Sequence, residues 1–131
     1  MDPIQRIQPE IVFAMPGICA ATRVGELLFV SGQLPLGPTG QIVGVGDFRA
    51  QVEQVFENLG AVLEAGGSGF DRVIKLTAFF VDIARDLPVY REVRDQYIAA
   101  EHASASSAVQ VGKLFHPSVW IEVEAVALCG D

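Results

Sequence analysis

The sequence predicts an α+β domain of β-β-α-β-α-β-β order, built as one sheet with both helices on one face. Three observations predict it. The hydrophobic period switches between two and about 3.6 several times along 131 residues, so strands alternate with helices. No repeat, linker or charge block divides the chain, and its length is usual for one domain, so residues 1–131 are read as a single unit. Segment 72–82 is largely apolar on both of its alternating faces, as a central strand is. Two helices on one face leave the other face to be covered by something outside the chain.

Residues 11–31 hold two short strands, one around Ile18 to Arg23 and one from Leu27 to Ser31, with a turn at Val24-Gly25-Glu26. Pro35 to Gly40 is a Gly/Pro loop that stops the second strand. Residues 47–65 are a helix, because Phe48, Val52, Val55, Phe56, Leu59, Val62 and Leu63 recur at three and four. Asp47 caps its start and Gly66-Gly67 supply a left-handed stop. In strand 72–82, Val73, Lys75, Thr77, Phe79 and Val81 share one face; Ile74, Leu76, Ala78 and Phe80 share the other. Residues 86–100 form a second helix, with Asp86 as cap, Pro88 in the first turn, and a stripe of Val89, Tyr90, Val93, Tyr97 and Ile98. Strands at 106–111 and 119–128 complete the order.

Composition narrows the function. Hydrophobic residues are 50% of the chain before its 13 glycines are counted, and charged residues are 19%, where about 25% is usual. That excess predicts an oligomer interface. The net charge of −7 speaks against nucleic acid and against an anionic membrane surface as partners. The charge-free stretch from Leu27 to Gly46 is broken by Pro35 and Pro38, so it is no membrane span. No leader pattern is present, and Cys19 and Cys129 read as free thiols, so a cytoplasmic protein is expected.

No phosphate loop, metal cluster or Ser-His-Asp pattern occurs, so neither a cofactor nor a metal is expected. His102 reads as a solvated helix-end residue. His116, in the loop before the last strand, is either a surface residue or one that reaches a ligand. Glu122 and Glu124 alternate onto one face of a strand whose other face is apolar. Either both are outward charges, or a neighbouring subunit half-buries one and makes it a general base. The run Ser104, Ser106, Ser107 is either a tight strand entry or a set of amides and hydroxyls for a small carboxylate.

The segment Leu28-Phe29-Val30-Ser31-Gly32-Gln33-Leu34-Pro35 with Thr39-Gly40 resembles the N-terminal signature of the RidA family, also called YjgF or endoribonuclease L-PSP. Val55 to Leu59 and Leu63 to Gly67 resemble its first helix, Val73 to Asp82 its central strand, and Ala108 to Val111 with Ile121 to Ala125 its C-terminal signature. The resemblance implies a chorismate-mutase-like fold, a homotrimer, and small-molecule clefts between subunits. It implies hydrolysis of enamine or imine intermediates, with Glu122 as the catalytic glutamate and Ser31, Gly32, Ser106, Ser107, Ala108, Ile18 and His116 in the cleft. Two departures imply altered specificity. Ser106 stands where the family carries an arginine that forks the substrate carboxylate, and Ile18 stands where it carries a tyrosine. A neutral, more apolar ligand follows from these departures, unless Arg91 or Lys113 restores the charge. A non-catalytic trimeric binding module is the alternative. A ribonuclease is disfavoured by the acidic charge.

Overall fold

A computed structural model describes residues 2–130. Its eight principal elements are β1 (Gln5–Ile7), β2 (Ala21–Val24), β3 (Leu27–Gln33), α1 (Phe48–Ala65), β4 (Val73–Phe80), α2 (Ile83–Tyr97), β5 (Ala105–Gln110) and β6 (Ile121–Leu128). The strands form one mixed six-stranded sheet of order β1-β2-β3-β6-β4-β5. Only β4 and β5 run parallel. The α+β class and the helix–strand order agree with expectation, with β1 added at one edge. Among the described residues, no helix is long and apolar enough to cross a membrane.

α1 forms where its stripe predicts. The Asp47 carboxylate accepts from the Ala50 amide at 3.1 Å. At the other end Ser68 N–H donates to Leu63 O and Gly67 N–H to Glu64 O, which is a Schellman closure. Its left-handed residue is Gly67 alone, at φ 82°, while Gly66 stays helical. α2 begins one turn before Asp86, because the Asp82 carboxylate accepts from the Arg85 amide at 3.1 Å. Asp86 is no cap: it is buried and takes two hydrogen bonds from Arg85, both 2.8 Å. Pro88 therefore lies inside the helix, on its exposed side, and α2 ends at Tyr97 rather than at residue 100. The first long strand starts at Ala21, since Ile18 N–H closes a turn onto Met15 O with Gly17 at φ 79°.

Alternation then fixes the two faces of the sheet. Leu28, Leu76, Ala78, Phe80, Ile121, Val123 and Ala127 point at the helices and are fully buried. A register shift between Val73 and Lys75 puts Val73 on that face and leaves Ile74 44% exposed, opposite to the simple alternation. The other face carries Leu27, Phe29, Val109 and Leu128, all exposed, with Lys75, Thr77 and Glu124 among them.

Tyr90 is wedged between Phe56 and Phe80 and is 1% exposed, and its hydroxyl has no hydrogen-bond partner. Tyr90→Phe is expected to raise stability by about 1 kcal/mol in urea unfolding, because an orphaned buried hydroxyl is removed at constant shape. Burial also pushes the Tyr90 phenol up to about 12. The folded state therefore holds that proton more tightly than the unfolded chain, and stability is lost as pH rises from about 10 to 12. Tyr90→Phe should fall less steeply than the wild type across that window.

Candidate functional site

The pairing of β3 with β6 is irregular between Val30 and Gln33, and Ser31 and Gly32 occupy the irregularity. Ser31 ties the incoming chain alongside. Its amide donates to Ala20 O and its hydroxyl to Cys19 O, both at 2.8 Å. Gly32 lies against the Glu122 side chain so closely that a Cβ would overlap the Glu122 carboxylate. Ile18, Cys19, Ser31, Gly32, Phe13 and Leu34 line a cavity of about 50 Å³ on this side of β3. That volume suits a few heavy atoms within one chain.

Glu122 is half-buried on the open face of the sheet, opposite Phe79. No described residue donates a hydrogen bond to it. Burial, and secondarily the neighbouring Glu124, raise its pKa above the usual carboxylate range. Lys75, a cation on this face, is instead engaged with the Ser107 hydroxyl at 2.8 Å.

The remaining expected residues lie elsewhere. Ser106 pairs with Leu76, and Glu122 with Phe79, on the intervening β4. With about 3.3 Å per residue and about 4.8 Å between strands, their Cα atoms are roughly 14 Å apart, and their side chains take opposite faces. Ser106 and Ala108 are exposed on the edge strand, on the side of the helices, whereas Ser107 is on the open face. His116 is exposed, and its Nδ1 accepts from the Ser118 amide of its own loop at 3.0 Å. His102 is exposed at a helix end, as read. Arg91 and Lys113 are exposed, and neither lines the cavity. Among the described residues no cluster of His, Cys, Asp and Glu could hold a metal ion.

Sequence reasoning passed over two residues that position this region. Gln51, fully buried on α1, donates to Gly44 O at 3.0 Å and to Ser118 O at 2.7 Å, and accepts from Trp120 N–H at 2.9 Å. Asn58, seven residues on, donates to Leu34 O at 3.1 Å and to Leu36 O at 2.9 Å. Their signal was available: two amides spaced by two turns inside an apolar stripe.

Residues 14–129 match the model of the family described as Endoribonuclease L-PSP. A RutC family protein of Pyrococcus horikoshii is 42% identical over 108 residues, covering 82% of each chain. The human 2-iminobutanoate/2-iminopropanoate deaminase is 35% identical over 111 residues, or 84% of this chain and 78% of the human one. The crystal structure of RidA from an Antarctic Psychrobacter has a TM-score of 0.86 to this chain at 33% identity, covering 95% of this chain and 98% of that one.

The raised Glu122 pKa has a definite sign. The folded state binds this proton more tightly, so the contribution favours folding below the unfolded carboxylate value and is lost as pH rises through the folded one. Glu122→Gln should melt above the wild type at pH 7, and the gap should close near pH 4. Equal melting temperatures at both values would mean the carboxylate is freely solvated. Gln51→Leu should cost about 2–4 kcal/mol in urea unfolding, since it strands Gly44 O, Ser118 O and Trp120 N–H together.

Proposed function

As the chain belongs to the endoribonuclease L-PSP family, the one also called RidA or YjgF, we propose that it hydrolyses a small imine or enamine to a carbonyl compound and ammonia. The half-buried Glu122 carboxylate beside Gly32 carries this reading. Water adds to the imine carbon while Glu122 takes one of its protons. The nitrogen becomes an amine on a tetrahedral carbon. Glu122 returns the proton to complete that amine and then carries the new hydroxyl's proton to the same nitrogen; the C–N bond breaks, ammonia leaves, and the C=O bond forms. A carboxylate whose pKa is raised by burial takes up and holds a proton more readily than a solvated one, as both transfers require. The human relative named as a deaminase supports the same chemistry.

The working unit in this proposal is a homotrimer of single-domain chains. The exposed apolar side chains Leu27, Phe29, Val109 and Leu128 on one sheet face support it. So does the separation of Ser106 from Glu122: the Ser106–Ala108 edge of one copy meets the Ile18, Ser31 and Gly32 wall of the next. With Ser106 and Ile18 in place of an arginine and a tyrosine, that cleft takes an uncharged substrate, or one bearing an amide, ester or aldehyde-like group. We place the protein in the cytoplasm, on its two free thiols. A second reading, a trimer that binds a small molecule without turning it over, is favoured by one observation. His116 is turned into its own loop, so no imidazole stands beside Glu122 as a second proton handler.

The deciding experiment follows ammonia release from a panel of enzymatically generated imines, charged and neutral. Glu122→Ala is expected to lower kcat by about a hundredfold or more, and Ser106→Arg to gain on 2-aminoacrylate relative to neutral imines. No turnover of any imine, with Glu122→Ala indistinguishable from wild type, would leave the binding module as the function.

A further inference from the structure

Simple alternation would give the end of β3 the opposite faces from those it has. Leu27 and Phe29 are exposed on the open face, while Leu28 and Val30 are buried toward the helices. Continued alternation would send Gly32 to the helices and Gln33 to the open face. The reverse is found. Gln33 is 5% exposed and pairs with Val123, itself fully buried on the helix side. Val30 pairs with Ala125, so Ser31 and Gly32 together stand opposite the single residue Glu124. One extra residue in β3 makes a bulge, and it changes the face of every residue after it. That extra residue is what turns Gly32 onto the Glu122 carboxylate.

A bulge is not held by the ladder it interrupts. Its ends are tied: the Ser31 amide and hydroxyl hold Ala20 O and Cys19 O, and Asn58 on α1 holds Leu34 O. Across the bulge itself Gln33 Nε2 donates to Ser31 O at 2.9 Å. A glutamine is costly to bury without a partner, so this bond joins the side chain and the bulge in one conformation. A register slip of one residue would break it and present Gln33 to the open face. The charged groups on that face are Glu124, beside Glu122, and Lys75 on β4; β3 and β5 carry none. From β3, then, it is the close backbone of Gly32 that shapes the Glu122 surroundings, by excluding water from the carboxylate.

We propose that Gln33 is a positioning residue for Glu122: from the helix side of β3 it locks the bulge that sets Gly32 against the carboxylate. Gln33 does not touch the reacting atoms, since its side chain lies on the opposite face from Glu122. It acts through the backbone of Ser31 and Gly32. Its bearing on turnover rests on the proposed hydrolysis; the lock itself does not.

The test uses the full-length chain and two substitutions. Gln33→Met keeps the side-chain length and removes the donor. Gln33→Asn keeps an amide that falls one methylene short of Ser31 O. Val93→Ala, in the core under α2, is the control for a general loss of stability. The first readout is the Glu122 side-chain carboxyl carbon in NMR, followed against pH and assigned by Glu122→Gln. Both Gln33 variants are expected to move its titration down toward that of an ordinary carboxylate, while Val93→Ala leaves it in place. The second readout is ammonia release from the imine panel. There both Gln33 variants should lower kcat about tenfold at nearly constant KM, with the acid limb of the pH profile moving to lower pH. A Glu122 titration unmoved in whichever Gln33 variant folds, or moved as far by Val93→Ala, would overturn the proposal. On the wild type, a Gln33 side-chain amide proton should exchange with solvent at least about tenfold more slowly than those of the exposed Gln5; equal exchange would overturn the lock without any variant. If the wild type turns over no imine, the proposed hydrolysis fails, and the carboxyl titration still decides the role of Gln33.

Discussion

Two buried amides on α1 carry the backbone polar groups of two connections, the one from β3 to α1 and the one from β5 to β6. Gln51 and Asn58 sit among Phe48, Val52, Val55, Leu59 and Val62, where an unpaired amide would be costly. Between them they hold carbonyls of Gly44, Ser118, Leu34 and Leu36 and the amide of Trp120. None of those loops has a regular partner strand at these points. The helix therefore does more than cover the sheet. It sets where the chain leaves β3, at Leu34 to Leu36, and where it enters β6, at Trp120. Gly32 and Glu122 are each two residues from those anchors, so the distance between them is governed by one rigid element. A polar network of this kind fixes one arrangement only when every member is satisfied.

Within that frame Glu122 is left in an unfavourable setting. Its desolvation is not offset by a cation, since Lys75 is drawn to Ser107, and Glu124 on the same face adds repulsion. Gly32 gives the carboxylate room but no donor. A structural glutamate on a half-covered sheet face would be expected to have a partner. One without any is the kind of group that catalytic and binding sites retain.

How much of this was readable beforehand differs by element. α1 was legible to within one residue, because stripe, cap and stop agree, with Gly67 alone rather than Gly66-Gly67 as the left-handed stop. α2 was misplaced by one turn, because the segment offers two aspartates. The choice of Asp82 follows from packing, since Ile83 and Leu87 extend the buried stripe backwards while Asp86 turns inward to Arg85. β1 was invisible: Gln5-Arg6-Ile7 has no pattern of its own, and pairing with β2 is what makes it a strand. The likeness of Ser31, Gly32 and Glu122 to a known family foretold one cluster, and the chain does bring Gly32 against Glu122. Within one chain Ser106 lies on the opposite face from Glu122 and His116 is turned into its own loop, because a face and a register are properties of the sheet rather than of either segment.

The open sheet face and the divided site make the same demand. The helix-facing side of the sheet buries its apolar residues within the chain, while Leu27, Phe29, Val109 and Leu128 on the other side remain exposed. Scattered apolar residues on a surface need no explanation, but these share one face with the half-buried Glu122. A neighbour that covers this face removes apolar area from water and further desolvates Glu122 in the same step. The first effect stabilises the assembly and the second raises the carboxylate's proton affinity. Stability of association and readiness for proton transfer would then rest on one surface. In the proposed trimer, a substitution that loosens the subunits, for example at Phe29, would alter the proposed chemistry without touching the cavity.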